Sequence, residues 1–178
     1  MTIVLETERL VFRDHEIEDL EPFCAMEADP EVRRFVGGQP RTRRAAEDKF
    51  RTVYLPAVPN RMGLWATVFK PEDRYIGYCG MYPHFDGSRA IPGEGVLAFY
   101  LARAYWGQGL ATEAGRAFIA LGFGELHLSR IVASVEVGND ASIRVLEKLG
   151  FLWARLDEGE LRSFHQFELR DPGTLPRA

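Results

Sequence analysis

The stretch Tyr105-Trp106-Gly107-Gln108-Gly109-Leu110-Ala111-Thr112-Glu113-Ala114 decides how this chain reads. Its two glycines follow an apolar run, Val96-Leu97-Ala98-Phe99-Tyr100-Leu101, and precede a helical pattern. A strand that ends in a Gly-rich turn and feeds a helix is a device for holding phosphate. Glycine lets the backbone approach a ligand closely and take left-handed conformations. The first N–H groups of the helix lack intrahelical partners, and the helix dipole favours an anion there.

Outward from that turn, the helix is marked by Leu110, Ala111, Ala114, Ala117, Phe118 and Leu121, an apolar stripe that ends near Gly122. Leu128 to Val137 reads as a buried strand. Gly138-Asn139-Asp140 then opens a second helix with Ile143, Leu146 and Leu149 on one face, stopped by Gly150 with Phe151 beyond it. Strand, helix, strand is a crossover unit, so the strand 94–101 and the strand 128–137 lie side by side and parallel. Ligands in such sheets bind at the carboxyl ends of strands, where both helix starts here would face one cleft.

Upstream, Thr7–Arg13 alternates as a strand with Leu10 and Phe12 on one face. Helical spacing follows over Ile17–Met26, with Pro22 as a point where it could split. A short helix from Asp29-Pro30-Glu31 to Val36 stops at Gly37-Gly38. A third helical pattern runs from Ala45 to Tyr54, and Pro56 and Pro59 close the region. Arg41, Arg43 and Arg44 ahead of it read as a solvated face. Met62–Phe69 and Tyr75–Tyr82 make a hairpin, and Pro83 to Gly93 reads as a polar loop. Two last strands are expected at Phe151–Ala154 and Ser163–Leu169, with a frayed end near Pro172 and Pro176.

Composition narrows the function classes. The 178 residues are 46% hydrophobic and 27% charged, as expected for a single soluble globular domain spanning 1–178. A net charge of −4 does not favour nucleic acid. Cys24 and Cys79 stand far apart with no CxxC or Cys/His cluster, so no metal site is expected and both thiols read as reduced. No apolar run approaches the ~20 residues that span a bilayer. Nor is there a signal-peptide pattern, so a cytoplasmic, membrane-free protein is expected.

The glycine spacing disfavours two common phosphate folds. Counted from Gly107, the third glycine of a dinucleotide fingerprint would fall at Thr112. The P-loop pattern G-x-x-x-x-G-K-[ST] is absent.

Together, the segment Tyr105–Ala114 and the helix Asn139–Phe151 resemble the GCN5-related N-acetyltransferase (GNAT) superfamily. The likeness is to the branch that contains ribosomal-protein alanine N-acetyltransferases. It runs from Leu5-Glu6-Thr7-Glu8-Arg9-Leu10-Val11-Phe12-Arg13 to Phe167-Glu168-Leu169. The superfamily's turn follows Q/R-x-x-G-x-G/A. Here the first position is Trp106, which removes one polar side chain from the usual set.

The resemblance implies a mixed α/β (α+β) fold: a mostly antiparallel central sheet of six to seven strands flanked by helices, with splayed strands forming a V-shaped acetyl-CoA cleft. It implies acetyl-CoA as acyl donor, its pyrophosphate on the turn, at Gly107, Gln108, Gly109, Leu110, Ala111 and Thr112. The pantetheine arm would lie along Phe99, Tyr100 and Leu101, near Asn139 and Ser142. A backbone N–H near Tyr100 or Leu101 would polarise the thioester. Ser142 is the candidate proton donor to the leaving thiolate. Glu94 and His165 are candidate bases, with His84 a third. Glu113, in the first turn of a helix, reads as structural. The expected acceptor is an amine, on a small molecule or a protein N-terminus. The alternative is a module of the same fold that binds acyl-CoA without transfer. An exposed edge near the last strands could support a homodimer.

Overall fold

Eight strands form one sheet in a computed structural model that describes residues 2–56 and 61–174. They are β1 (Ile3–Glu6), β2 (Leu10–Arg13), β3 (Leu64–Phe69), β4 (Arg74–Asp86), β5 (Arg89–Leu101), β6 (Arg130–Glu136), β7 (Leu152–Asp157) and β8 (Phe164–Arg170). Their spatial order is β1-β2-β3-β4-β5-β6-β8-β7. Every neighbouring pair is antiparallel except β5 and β6. The crossover between those two is the helix α4 (Leu110–Gly124), as the glycine turn and apolar stripe require.

Two expectations about the strands are corrected. The sheet has eight strands rather than six to seven, because Ile3–Glu6 folds back on Leu10–Arg13 as a hairpin. Its apolar residues are consecutive, so no alternation marks it. Residues 83–93 are not a loop either. β4 and β5 extend into a ribbon closed by Gly87 and Ser88, through Pro83↔Gly95, Phe85↔Ala90 and Asp86↔Arg89. Backbone pairing builds such a ribbon without a buried face, so its side chains gave no strand period.

Helices cover both faces. On one, α4 and α5 (Asp140–Lys148) pack with Leu10, Phe12, Met81, Leu97, Phe118, Ile131, Leu146 and Phe167. On the other, α1 (Leu20–Ala28), α2 (Pro30–Arg33) and α3 (Arg43–Lys49) bury Phe23, Phe50, Tyr54 and Tyr78. Pro22 does not split α1. It is the third residue of the helix, where no backbone donor is required. The helix expected to reach Tyr54 widens into a π turn over Phe50–Tyr54. Arg41 is not on a solvated face: its Nε donates to the buried carboxylate of Glu27 at 2.6 Å. Both cysteines are free and buried. Pro59 and Pro176 lie outside the described residues. Among the described residues, no helix is long and apolar enough to cross a membrane.

α5 ends as its sequence requires. Gly150 takes φ +87°, its N–H donates to Glu147 O, and the N–H of Phe151 donates to Leu146 O. Those two bonds make a Schellman stop, and Phe151 is buried beyond it.

The second core holds a buried histidine. His15 contacts the rings of Phe50, Tyr54, Tyr75 and Tyr78, and its Nε2 lies 3.1 Å from Leu64 O. Burial pushes its pKa down from 6.5 to about 4. Between those values the unfolded chain binds a proton that the folded chain refuses, so stability falls as pH falls through this window. On going from pH 7 to pH 4.5 this one group removes roughly 2–3 kcal/mol. Urea unfolding at the two pH values should show His15→Phe losing less stability than the wild type by that amount. Equal losses would contradict the assignment.

Candidate active site

The parallel pairing of β5 and β6 is short. It covers Glu94↔Arg130, Gly95↔Ile131 and Val96↔Val132, although β5 continues to Leu101 and β6 to Glu136. Each strand stays with its outer neighbour instead: β5 with β4 up to Leu101↔Gly77, and β6 with β8 up to Glu136↔Phe164. The two therefore part, and a cleft of about 600 Å³ opens between them.

Backbone alternation shows which β5 groups face the gap. The N–H of Met81 donates to Gly63 O on its far side, so the Met81↔Leu97 pair exchanges no bonds. Two and four residues on, Phe99 and Leu101 share that phase, and the N–H of Ala102 turns inward to Ile76 O. Phe99 and Leu101 thus direct their amides toward β6, while Tyr100 directs its amide at β4. This refines the expectation that placed the polarising N–H at Tyr100 or Leu101.

The Gly-rich turn closes one end of the cleft. Tyr105 is buried and donates its hydroxyl to Glu72 Oε2 at 2.6 Å. Trp106 Nε1 donates to Leu101 O at 2.7 Å, tying the turn to the end of β5. So the tryptophan at the family's Gln/Arg position anchors the turn. Gly107 and Gly109 have φ of +75° and +79°, which glycine alone adopts freely. Gly109 caps α4 with no side-chain bond, leaving the first amides of the helix unclaimed. A Cβ added at Gly107 would meet nothing within 4 Å, so the space before the turn is open.

Glu113 braces this turn from behind. Its carboxylate accepts from Thr7 Oγ1 (2.6 Å), the Arg9 N–H (2.9 Å) and Arg9 Nε (2.7 Å). Burial pulls its pKa up, but the bonds from Thr7 and Arg9 outweigh that and hold it below the ordinary range. These contacts are structural, as expected for Glu113.

At the start of α5, Asn139 Oδ1 accepts from the Ser142 N–H at 3.2 Å. That cap turns the half-buried Ser142 toward the cleft, which both residues line. Phe99, Tyr100, Leu101, Gly107, Gly109, Leu110, Ala111 and Thr112 also line it. Gln108 does not, because its side chain folds back to donate to Ala104 O at 3.0 Å.

The candidate bases lie elsewhere. Glu94 sits where β5 and β6 are still paired, its Oε2 held at 2.7 Å by both Arg130 Nη2 and His84 Nδ1. Burial raises its pKa and bonds from Arg130 and His84 lower it, with a net decrease. His165 pairs with Val135 across the strands and accepts from Trp153 Nε1 at 3.2 Å. Neither Glu94 nor His165 is among the lining residues.

The lining contains carboxylates that carried no sequence signal, Glu31 and Glu136. Arg162 grips Glu136 with two nitrogens, Nε at 2.9 Å from Oε1 and Nη2 on Oε2. The same Arg162 donates to Arg34 O at 2.9 Å, joining the last hairpin to the segment after α2. Phe35, Tyr82 and Phe164 complete this side. Only the fold brings these residues together from four separate elements.

Comparison with known proteins bears on this site. The model of the acetyltransferase (GNAT) domain matches residues 9–152. A Bacillus licheniformis protein, described as an uncharacterized N-acetyltransferase p20, is 33% identical over 163 residues, 91% of this chain and 87% of its own. A GNAT-family acetyltransferase from Bacillus anthracis superposes with a TM-score of 0.80 at 19% identity, covering 93% of this chain and 97% of its own. An aminoglycoside acetyltransferase in complex with coenzyme A superposes at 0.71 with 21% identity, covering 90% and 94%.

Proposed function

This chain belongs to the GNAT acetyltransferase family, and from that premise we propose that it transfers the acetyl group of acetyl-CoA to a primary amine on a small molecule or a protein N-terminus. We place the activity in a single domain over residues 1–178. The observation that carries the reading is the parting of β5 and β6 beneath two helix starts. That gap supplies unpaired strand amides, an open glycine turn and a hydroxyl at one place.

In this reading the pyrophosphate sits on the amides from Gln108 to Thr112, where a nest of N–H groups suits a dianion without a lysine. The pantetheine arm runs along the outward-facing backbone of Phe99 and the N–H of Leu101, whose carbonyl Trp106 holds, with Asn139 opposite. The Leu101 N–H polarises the thioester carbonyl. A neutral amine attacks the acetyl carbon: a C–N bond forms, the C–S bond breaks, and CoA leaves as its thiol. The Ser142 hydroxyl hydrogen-bonds the departing sulfur and relays a proton to it, taking one back from solvent. The amine's own proton passes to Glu31, directly or through water. We choose Glu31 over Glu94 and His165 because it lines the cleft. We choose it over Glu136 because its carboxylate makes no ion pair among the described residues.

Acetyl-CoA mixed with a panel of amines and N-terminal peptides should release free thiol only when an acceptor is present. Tight binding with no amine-dependent thiol would instead establish an acyl-CoA-binding module. With an acceptor in hand, Ser142→Ala should lower kcat by about 10²-fold, the scale of a lost general acid. Its Kd for acetyl-CoA should stay near the wild-type value, since the cap uses the Ser142 backbone and not its hydroxyl. An unchanged kcat would reduce Ser142 to a capping residue.

A further inference from the structure

We propose that Arg9, on the N-terminal hairpin, is a phosphate-binding residue of the donor site. The inference rests on the acetyl-CoA reading above and adds a residue to it.

The turn from Tyr105 to Thr112 contains no lysine or arginine. Its amides carry only partial charges, so a guanidinium beside it would add the one full positive charge the turn lacks. Arg9 comes from a distant part of the chain and lies against this turn. A Cβ built on Gly109 has one heavy atom within 4 Å, Arg9 Nη2, at 3.7 Å. The arginine is held there from two sides. Nε donates to Glu113 Oε2 at 2.7 Å, and Nη1 donates to Gln108 O at 3.1 Å. Nη2 donates to no acceptor among the described residues and is the nitrogen that approaches the Cβ position of Gly109.

The side chain is 37% exposed, so it reaches water at the rim of the turn. A structural brace would need only the Glu113 contact. The geometry does more: it lays the planar fork along residues 108–109, with Nε and Nη1 on protein acceptors and Nη2 left over beside Gly109. That nitrogen suits one charge-assisted bond to a phosphate oxygen, with the rest of the guanidinium held in place by the protein. Phosphate on the α4 amides and Arg9 on the hairpin would then be linked, and donor binding would tighten the contact between β1–β2 and α4.

Calorimetry with acetyl-CoA, and separately with 3′-dephospho-CoA, tests this in the full chain. Both probes keep the pyrophosphate. Arg9→Gln should weaken both by about tenfold, the effect of one charge-assisted contact. Arg9→Lys should recover part of the loss. Glu113→Gln keeps the Arg9 charge and an acceptor oxygen, so it should stay within about threefold of wild type. Added salt should weaken the wild type more than Arg9→Gln. An Arg9→Gln Kd within twofold of wild type overturns the proposal. So does an equal loss in Glu113→Gln, because Arg9 would then act only as a brace. A wild-type protein that binds neither probe would refute the donor-site reading itself.

Discussion

Gly109→Asp should abolish acetyl-CoA binding while the protein stays folded. Gly109 caps α4 at φ +79°, where aspartate is tolerated better than most side chains. Space is not the obstacle, since a Cβ there meets only the movable end of Arg9. The new carboxylate would sit on the helix amides and beside the Arg9 guanidinium, so it would satisfy the groups that await phosphate. A bound anion would then have to displace an intramolecular one and face its charge. We expect a loss of at least about 10²-fold, or roughly 3 kcal/mol. Thermal unfolding without ligand should remain cooperative and near the wild-type midpoint. Calorimetry showing wild-type affinity would remove the pyrophosphate from this turn.

Gly77→Ala should have a different profile, a severe loss of stability from a position that itself carries none of the chemistry groups. Gly77 pairs with Leu101 at the end of the cleft-lining strand. Its φ is +147°, and a Cβ there would lie 2.1 Å from Tyr100 O and 2.9 Å from Leu101 Cα. Both are backbone atoms of β5, so no side-chain rotation relieves the contact. The strands must separate where β5 presents the Phe99 and Leu101 amides. We expect about 3–5 kcal/mol of destabilisation, in the range of the most damaging point changes. Urea unfolding measures it, and a loss below about 1 kcal/mol would show that β5 can shift freely. Gly87→Ala, where a Cβ meets nothing within 4 Å, is the matched control at the ribbon turn.

The legible parts of the fold share one property: their signals are local. The apolar stripe of α4, the Asn139 cap and the Gly150 stop of α5 each lie within a few residues of what they specify. The crossover from β5 to β6 followed from the order strand, turn, helix, strand. The missed parts depended on partners. Ile3–Glu6 is a strand because Leu10–Arg13 lies beside it, and the ribbon 83–93 exists because its two halves pair.

The same division holds at the site. The glycine turn, Asn139 and Ser142 could be named from the chain because a turn or cap is read from consecutive residues. Glu94 drew notice as an acid at the start of the right strand. It points to the closed end, because β5 and β6 are still hydrogen-bonded there and Arg130 lies opposite. Glu31, Glu136, Arg162 and Phe164 carry no motif, since their proximity spans residues 31 to 164 and is made by α2, β6 and β8 folding around one gap.

What the linear order of residues decides is the glycine turn and helix start proposed to hold the donor. A phosphate turn needs glycines in left-handed conformations before a helix, and that requirement is written in adjacent positions. The grouping of Glu31, Glu136 and Arg162, the orientation of the Phe99 and Leu101 amides, and the placement of Arg9 beside Gly109 were decided only in three dimensions. The physical reason is pairing: β5 stays with β4 and β6 stays with β8, and the gap their divergence opens cannot be read from either strand alone.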